Sequence, residues 1–258
     1  MKISIIIPSH NEENIIKDTI NGVYEIMKKT KYSYEIIAVD DNSNDKTGKI
    51  IDNLSKKIKT IKSLHKKNKK RGPTGLGSAI KFGFKNCNGD IIIPFMGDLS
   101  DDPKDIIKLI NKIMEGYDVV CGSRFINGSK INDYPLMKMI SNRAYNRFFA
   151  FLFQLDVNDF SNAFKAYRKE IFKTIIPESD GFEITSEIVL KAHINKNKIT
   201  EIPVSWHNRI KGGKSKLGSF LSPKFLFLKL PRIGFSYGIL SLKLWLKFIK
   251  NRLDSILN

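Results

Sequence analysis

The sequence predicts an α/β protein in which a mostly parallel sheet is flanked by helices and followed by a C-terminal amphipathic helical tail. Three observations predict it. Short apolar runs alternate with runs of helical period through the first half of the chain. The apolar runs are nearly free of polar residues, as strands are when helices cover both sheet faces. Several of them end in acids and turn residues, at the positions where open parallel sheets bind ligands.

Taken in order, residues 3–7 form a strand closed by Pro8, and Ile16, Ile20, Val23, Tyr24 and Met27 share one face of a helix. Residues 35–39 repeat the strand, and Ile50, Ile51, Leu54 and Ile58 repeat the helix. The cycle continues with a strand at 61–64, a helix at 76–84, a strand at 91–96, a helix at 103–115 and a strand at 117–121. Pro94 lacks a backbone donor, so its strand must either tolerate the gap or lie near an edge. After Pro135 the alternation stops. A helix to Phe153, a mixed region, a helix over 182–194 and a strand over 198–206 complete a domain expected to span 1–217, with the tail at 218–258.

The chain has 258 residues, 41% hydrophobic and 27% charged, which excludes disorder and leaves room for one large domain of real core. Cys87 and Cys121 are too few for a disulfide scaffold or a structural zinc site, and their positions read as packing. No signal-peptide pattern precedes the first strand, which predicts a cytosolic setting. Lys and Arg number 44 against 26 Asp and Glu, a net charge of +18 that favours phosphorylated ligands, nucleic acid or anionic lipid. The excess is concentrated late: eleven basic residues and one acid, Asp254, follow from Arg209 onward.

Three strand ends carry polar clusters: Ser9-His10-Asn11-Glu12, Asp40-Asp41-Asn42-Ser43, and Gly97-Asp98 through Asp102-Pro103. Asn11, Asp45 and Asp102 are also good helix caps, Asp102 most of all because proline follows it. Capping does not account for Asp40 with Asp41, or for Asp98. Carboxylates converging at one sheet edge suit a hard divalent cation, Mg²⁺ or Mn²⁺, bridging a diphosphate.

These residues resemble a known family. "SIIIPSHNEE", "IIAVDDNSNDKT", "GPTGLGSAIKFGF", "NGDIIIPFMGDLSDDP" and "VVCGSRF" are similar to the nucleotide-binding half of inverting family-2 glycosyltransferases with the GT-A fold. "DFSNAFKAYRKEIF", "GFEITSEIVLKA" and "EIPVSWHNRIKGGKSKL" resemble the acceptor half of the dolichyl-phosphate mannose synthase and polyprenyl-phosphate glucosyltransferase type. The resemblance covers about residues 2–217. It implies that Pro8, His10, Glu12, Val39 and Asp41 hold the base and ribose of a nucleotide sugar, while Gly97 and Asp98 meet its diphosphate and metal. His10 stands where the family usually has tyrosine. Met96 stands where the family's acid-x-acid metal motif has its first acid, leaving Asp98 in register. Either Asp101 substitutes as a ligand, or one carboxylate with phosphates and water holds the cation, or metal dependence is weakened.

A lipid phosphate acceptor is already ionised near neutrality, so it needs positioning and charge screening more than a strong base. The resemblance assigns these roles to Arg124, Arg209 and Lys216, with Lys138 and Arg143 as approximate matches, and gives Asp159 the task of orienting acceptor or sugar at the reacting centre. Asp98, Asp159, Arg124 and Arg209 are thus the expected catalytic set. The basic run Lys66 to Arg71 reads as a solvated loop, because no aromatic residue interleaves to stack bases.

In the tail the longest uncharged stretch, 233–242, is ten residues, against the ~20 a transmembrane helix needs. Lys243, Lys247 and Lys250 share one helix face while Leu242, Trp245, Leu246, Ile249 and Leu253 fill another, a pattern for a helix lying in an anionic membrane interface. The reading is a peripheral enzyme on the cytosolic membrane face that moves a hexose from a nucleotide sugar to a polyprenyl phosphate. GDP-mannose, UDP-glucose and UDP-N-acetylhexosamine all fit. Competing readings are a family-2 transferase for another glycan or lipid acceptor, and a catalytically silent nucleotide- and membrane-binding relative. Nucleic acid is not an expected partner.

Overall fold

The computed structural model describes residues 1–66, 75–208 and 230–257. Strands and helices follow in the order β1 (Lys2–Ser9), α1 (Ile16–Met27), β2 (Ser33–Asp40), α2 (Thr47–Lys57), β3 (Ile61–His65), α3 (Leu76–Lys85), β4 (Ile91–Pro94), α4 (Asp105–Met114) and β5 (Val119–Ser123). Then come β6 (Lys130–Asn132), α5 (Leu136–Phe153), β7 (Lys165–Arg168), α6 (Ile184–Ile194), β8 (Ile199–Pro203), β9 (Ser205–His207) and α7 (Leu230–Leu257).

Seven strands form one sheet in the order β3-β2-β1-β4-β7-β5-β8, and β6 and β9 form a small parallel pair. All neighbours in the large sheet are parallel except β7, which runs antiparallel to both β4 and β5. The apolar strands alternate faces with period two. Ile3, Ile5 and Ile7 pack with α1, α2 and α4, while Ile6, Ile37 and Val39 face the side covered by α3. Val119, Cys121 and Tyr167 extend that second face toward α6.

The alternation read from the sequence is present through β5; of the two readings of Pro94, tolerance of the missing donor holds, and two further features depart from the sequence reading. β4 is central, not near an edge. Pro94 is tolerated because it is the last residue of the strand, and β7 pairs only with Ile91 and Ile92, so no ladder bond is lost at the proline. The strand expected over 198–206 is broken at Val204 into β8 and β9, which join different sheets. β7, inside the stretch read only as mixed, is too short for its period to stand out.

The expected boundary at 217/218 lies outside the described residues. Beyond it, α7 does not run as a detached tail. Leu244 and Ser241 are buried, Phe248 packs against Phe153 at 5.5 Å and His193 at 5.7 Å, and the Tyr145 and Ser241 hydroxyls lie 3.0 Å apart. Leu242, Leu246 and Leu253 face outward. The helix therefore has two apolar faces, and only one is used in packing.

Candidate active site

Because β2, β1 and β4 are neighbours, their carboxyl ends bring the three acidic clusters side by side. The Asp41 N–H donates to the Ser9 carbonyl at 2.9 Å, and the Ser9 hydroxyl donates to the Val39 carbonyl at 3.0 Å. His10 donates from Nδ1 to the Asp41 carbonyl at 2.7 Å, which fixes the ring beside the β2 end. Pro8 is the penultimate residue of β1, and Val39 is fully buried. Glu12 is buried, with its N–H on the Thr47 hydroxyl at 2.8 Å.

The Asp41 carboxylate, also buried, accepts from Lys66 Nζ at 3.0 Å and from the Gly75 N–H at 3.1 Å. Gly75 has φ +125°, a conformation that favours glycine, and it starts α3 directly over Asp41. Lys66, read from sequence as the first residue of a solvated basic loop, is thus part of the cluster at the end of β2. The remainder of that run, 67–71, lies outside the described residues.

Behind Asp41, His65 at the end of β3 is held between two acids: Nδ1 is 3.2 Å from Asp40 Oδ2 and Nε2 is 2.8 Å from Asp52 Oδ1. Both ring nitrogens face carboxylates, so only the doubly protonated ring satisfies both contacts. The hydrogen bond to Asp52 is the largest influence raising the imidazole pKa above its ordinary value near 6.5, with Asp40 adding to it and partial burial opposing. A raised folded-state value means that the stabilisation is fully present below the unfolded value and is lost as pH rises through the folded one. Thermal melts should therefore show wild type losing stability on going from pH 6 to pH 8.5, while His65→Gln gives a flatter profile. The ring is 37% exposed, so the screened difference should stay under about 1 kcal/mol.

At the end of β4, a side chain on Gly97 would meet the Pro8 carbonyl at 2.8 Å, so only glycine lets this loop lie against β1. Thr19 donates to the Gly97 carbonyl at 2.9 Å, and Asp98 accepts from the Ser100 N–H at 3.2 Å. Asp101 is 1% exposed, and neither of its carboxylate oxygens has a hydrogen-bond partner. Burial first, then the charge of Asp98, pushes its pKa up to about 8, against the opposing pull of Arg124. Asp102 accepts from the Lys104 N–H at 2.9 Å in the turn before α4, in keeping with a capping role. Met96 packs against an apolar cluster. Among the described residues no group of three or more His, Cys, Asp or Glu is arranged to hold a metal.

The cationic half begins at the end of β5. Arg124 makes a bidentate pair with Asp159, Nε to Oδ2 at 2.7 Å and Nη2 to Oδ1 at 2.9 Å, and its N–H donates to the same acid at 3.1 Å. Asp159 is fully buried. Its carboxylate is thereby committed to Arg124. Lys138 lies 5.2 Å from the ring centres of both Tyr134 and Trp206, and Arg143 lies 5.6 Å from that of Phe125. An isolated bridge between Asp101 and Trp206 joins this cluster to the end of β4. Arg209 and Lys216 lie outside the described residues.

Sequence reasoning missed Tyr134, Trp206, His65 and Lys165. The first two stand in the segments around Pro135 and in "EIPVSWHNRI", where an aromatic beside cations was the available signal. Lys165 stands in β7, the strand that the sequence did not reveal. It is fully buried, its Nζ donates to the Asn162 carbonyl, and burial lowers its pKa to about 8.

The sequence model of "Glycosyl transferase family 2" matches residues 4–176, which span β1 to the turn after β7. The chain belongs to glycosyl transferase family 2. A relative from Pyrococcus furiosus, named dolichol-phosphate mannosyltransferase, is 34% identical over 84% of this chain and 59% of its own length. Glycosyltransferase AglD of Haloferax volcanii is 26% identical over 80% of this chain and 33% of its own. The chain thus spans less than two thirds of the Pyrococcus protein and about one third of the Haloferax one. The glucosyl-3-phosphoglycerate synthase of Mycobacterium tuberculosis shares the GT-A architecture. Its UDP complex superposes with a TM-score of 0.65 at 16% identity, over 95% of this chain and 80% of that one. Its complex with Mn²⁺ and UDP-glucose gives 0.61 at 16% identity, over 83% and 72%.

Proposed function

We propose that this chain is an inverting hexosyltransferase that moves a sugar from a nucleotide donor to a polyprenyl phosphate at the cytosolic face of a membrane. The observation that carries the proposal is the apposition of two half-sites. Acids at the ends of β2 and β4, the donor side, adjoin a cluster of Arg124, Lys138 and Arg143 with aromatic rings, the acceptor side. The name of the Pyrococcus relative supports a prenyl phosphate acceptor, and the UDP-glucose and Mn²⁺ bound by the mycobacterial enzyme support a nucleotide sugar and a divalent cation. On this reading Pro8, His10, Glu12, Val39 and Asp41 enclose the nucleoside, Gly97 and Asp98 meet the diphosphate, and Arg209 and Lys216 add to the acceptor site.

The residues fit a cation. Asp101 offers a buried carboxylate with no hydrogen-bond partner; burial first and the charge of neighbouring Asp98 second raise its pKa, and a divalent ion would relieve both. Asp98 and Asp101 would hold it, with Met96 contributing nothing. Bound there, Mg²⁺ or Mn²⁺ would neutralise charge on the departing diphosphate. The chain's own part is to position the acceptor phosphate beside Arg124, whose charge Asp159 anchors. The test is incubation with labelled nucleotide sugars, polyprenyl phosphate and Mg²⁺ or Mn²⁺. Label should enter the organic phase for one donor, and donor binding with no transfer to any lipid would overturn the proposal.

Membrane docking is supported by where apolar surface is exposed. Of the twelve large apolar side chains exposed among the described residues, nine lie on α5 and α7, including Ile140, Phe148, Phe151, Leu242 and Leu246. Lys243, Lys247 and Lys250 lie on α7 among them. Among the described residues no helix is long and apolar enough to cross a membrane. Removing residues after Gly218 would also strip the packing of Phe248 and Leu244, so surface substitutions are the cleaner test. Replacing Lys243, Lys247 and Lys250 by Gln should weaken binding to anionic liposomes, by up to about 1 kcal/mol per lysine at low salt, and flatten its salt dependence. Unchanged liposome binding by the folded triple variant would return α7 to a purely packing role.

A further inference from the structure

Tyr134 immediately precedes Pro135 and α5, and its ring is enclosed by the acceptor-side groups. Trp206 lies 4.5 Å from it and Phe125 6.1 Å, centre to centre. The Arg124 guanidinium and Lys138 ammonium lie 5.5 Å and 5.2 Å from its ring centre. The hydroxyl has an unusual set of partners. Arg124 Nη1 donates to it at 3.2 Å, and Asn142 Nδ2, two turns into α5, donates to it as well. A phenol oxygen has two acceptor positions and one proton. With both acceptor positions taken by fixed donors, the O–H must point away from Arg124 and Asn142. Burial raises the phenol pKa above its ordinary value, so the proton is retained across the neutral range.

Arg124 itself is largely committed. Its Nε and Nη2 serve Asp159, and Nη1 serves Tyr134, so much of its hydrogen-bonding capacity is turned inward. Donors that polarise a hydroxyl oxygen make its proton a stronger donor. We propose that the Tyr134 hydroxyl is a direct hydrogen-bond donor to the acceptor's phosphate, aimed by Arg124 and Asn142 and working beside the Lys138 ammonium. This rests on the acceptor reading above and adds a neutral, directional contact to a site otherwise described by its charges. A phosphate monoester has the oxygen lone pairs to accept such a bond while its charge is met by Lys138.

The test is Tyr134→Phe, which keeps the ring and its stacking and removes only the hydroxyl. Steady-state kinetics with a short-chain prenyl phosphate should show the acceptor KM raised about 10-fold or more, as expected for a lost hydrogen bond to a charged group. The nucleotide-sugar Kd should be unchanged, which also shows that the variant is folded. Long- and short-chain acceptors should suffer equally, because the contact is to the phosphate and not to the chain. A companion, Asn142→Leu, frees the hydroxyl to turn and should give a smaller rise in the same KM. A folded Tyr134→Phe protein with unaltered acceptor KM overturns the proposal while leaving the acceptor reading intact. A wild-type protein that neither binds nor uses any prenyl phosphate overturns both. Parallel loss of donor binding and acceptor use would assign Tyr134 a structural role instead.

Discussion

An Asp98→Asn protein should fold normally and lose at least ~100-fold in turnover, the scale of removing one preorganised charge partner at a reacting centre. The expectation follows from its place at the end of β4, beside the Gly97 backbone that lies against β1 and next to the buried Asp101. The control is Asp102→Asn. Its carboxylate holds the Lys104 N–H ahead of α4, and asparagine keeps a side-chain oxygen for the same bond, so the change should leave both stability and turnover close to wild type. Both are read by label transfer and by urea unfolding of the same preparations. A folded, fully active Asp98 variant would remove this residue from the donor site. Met96→Asp is the complement: an acid restored there should lower the cation concentration needed for half-maximal rate.

The largest effect on stability should come from Arg124→Ala, at about 3–5 kcal/mol, because it leaves the fully buried Asp159 carboxylate without its cation. Asp159→Ala should cost a similar amount by stranding the guanidinium. The paired change Arg124→Met with Asp159→Leu removes both charges and should recover much of the lost stability, since a buried ion pair gains little over an apolar pair of similar volume. It should not recover turnover. Urea denaturation midpoints separate the cases: equal midpoints for wild type and Arg124→Ala would mean that Asp159 finds another partner. Stability regained without activity would locate the importance of the pair in chemistry.

Much of this was legible in the residues. The alternation through β5 was readable because each buried parallel strand is nearly all apolar and each helix repeats at 3.6, two periods that do not overlap. The clusters at Asp41 and Asp98 were readable because carboxylates at strand ends have few structural uses. What could not be read were contacts between segments distant in sequence. Nothing near Asp159 signals that Arg124, 35 positions earlier, occupies both of its oxygens. The pattern of α7 likewise displayed leucines and lysines without saying that Leu244 and Phe248 are spoken for by the core while Leu242 and Leu246 are not.

β7 has a consequence for how the molecule is made. It is translated after β5 and α5, yet it lies between β4 and β5. Until residues 165–168 insert, β4 and β5 each present an open backbone edge, the kind of surface that pairs with other chains. The joining of β4 to β5 through β7 is therefore a long-range event, which predicts slow maturation and a vulnerable nascent stage. Once β7 is seated, a continuous ladder links the strands whose ends carry the acidic and the cationic clusters. On the proposed function, opening and closing around substrates would fall to loops at the strand ends, the segments with the fewest ladder bonds to break.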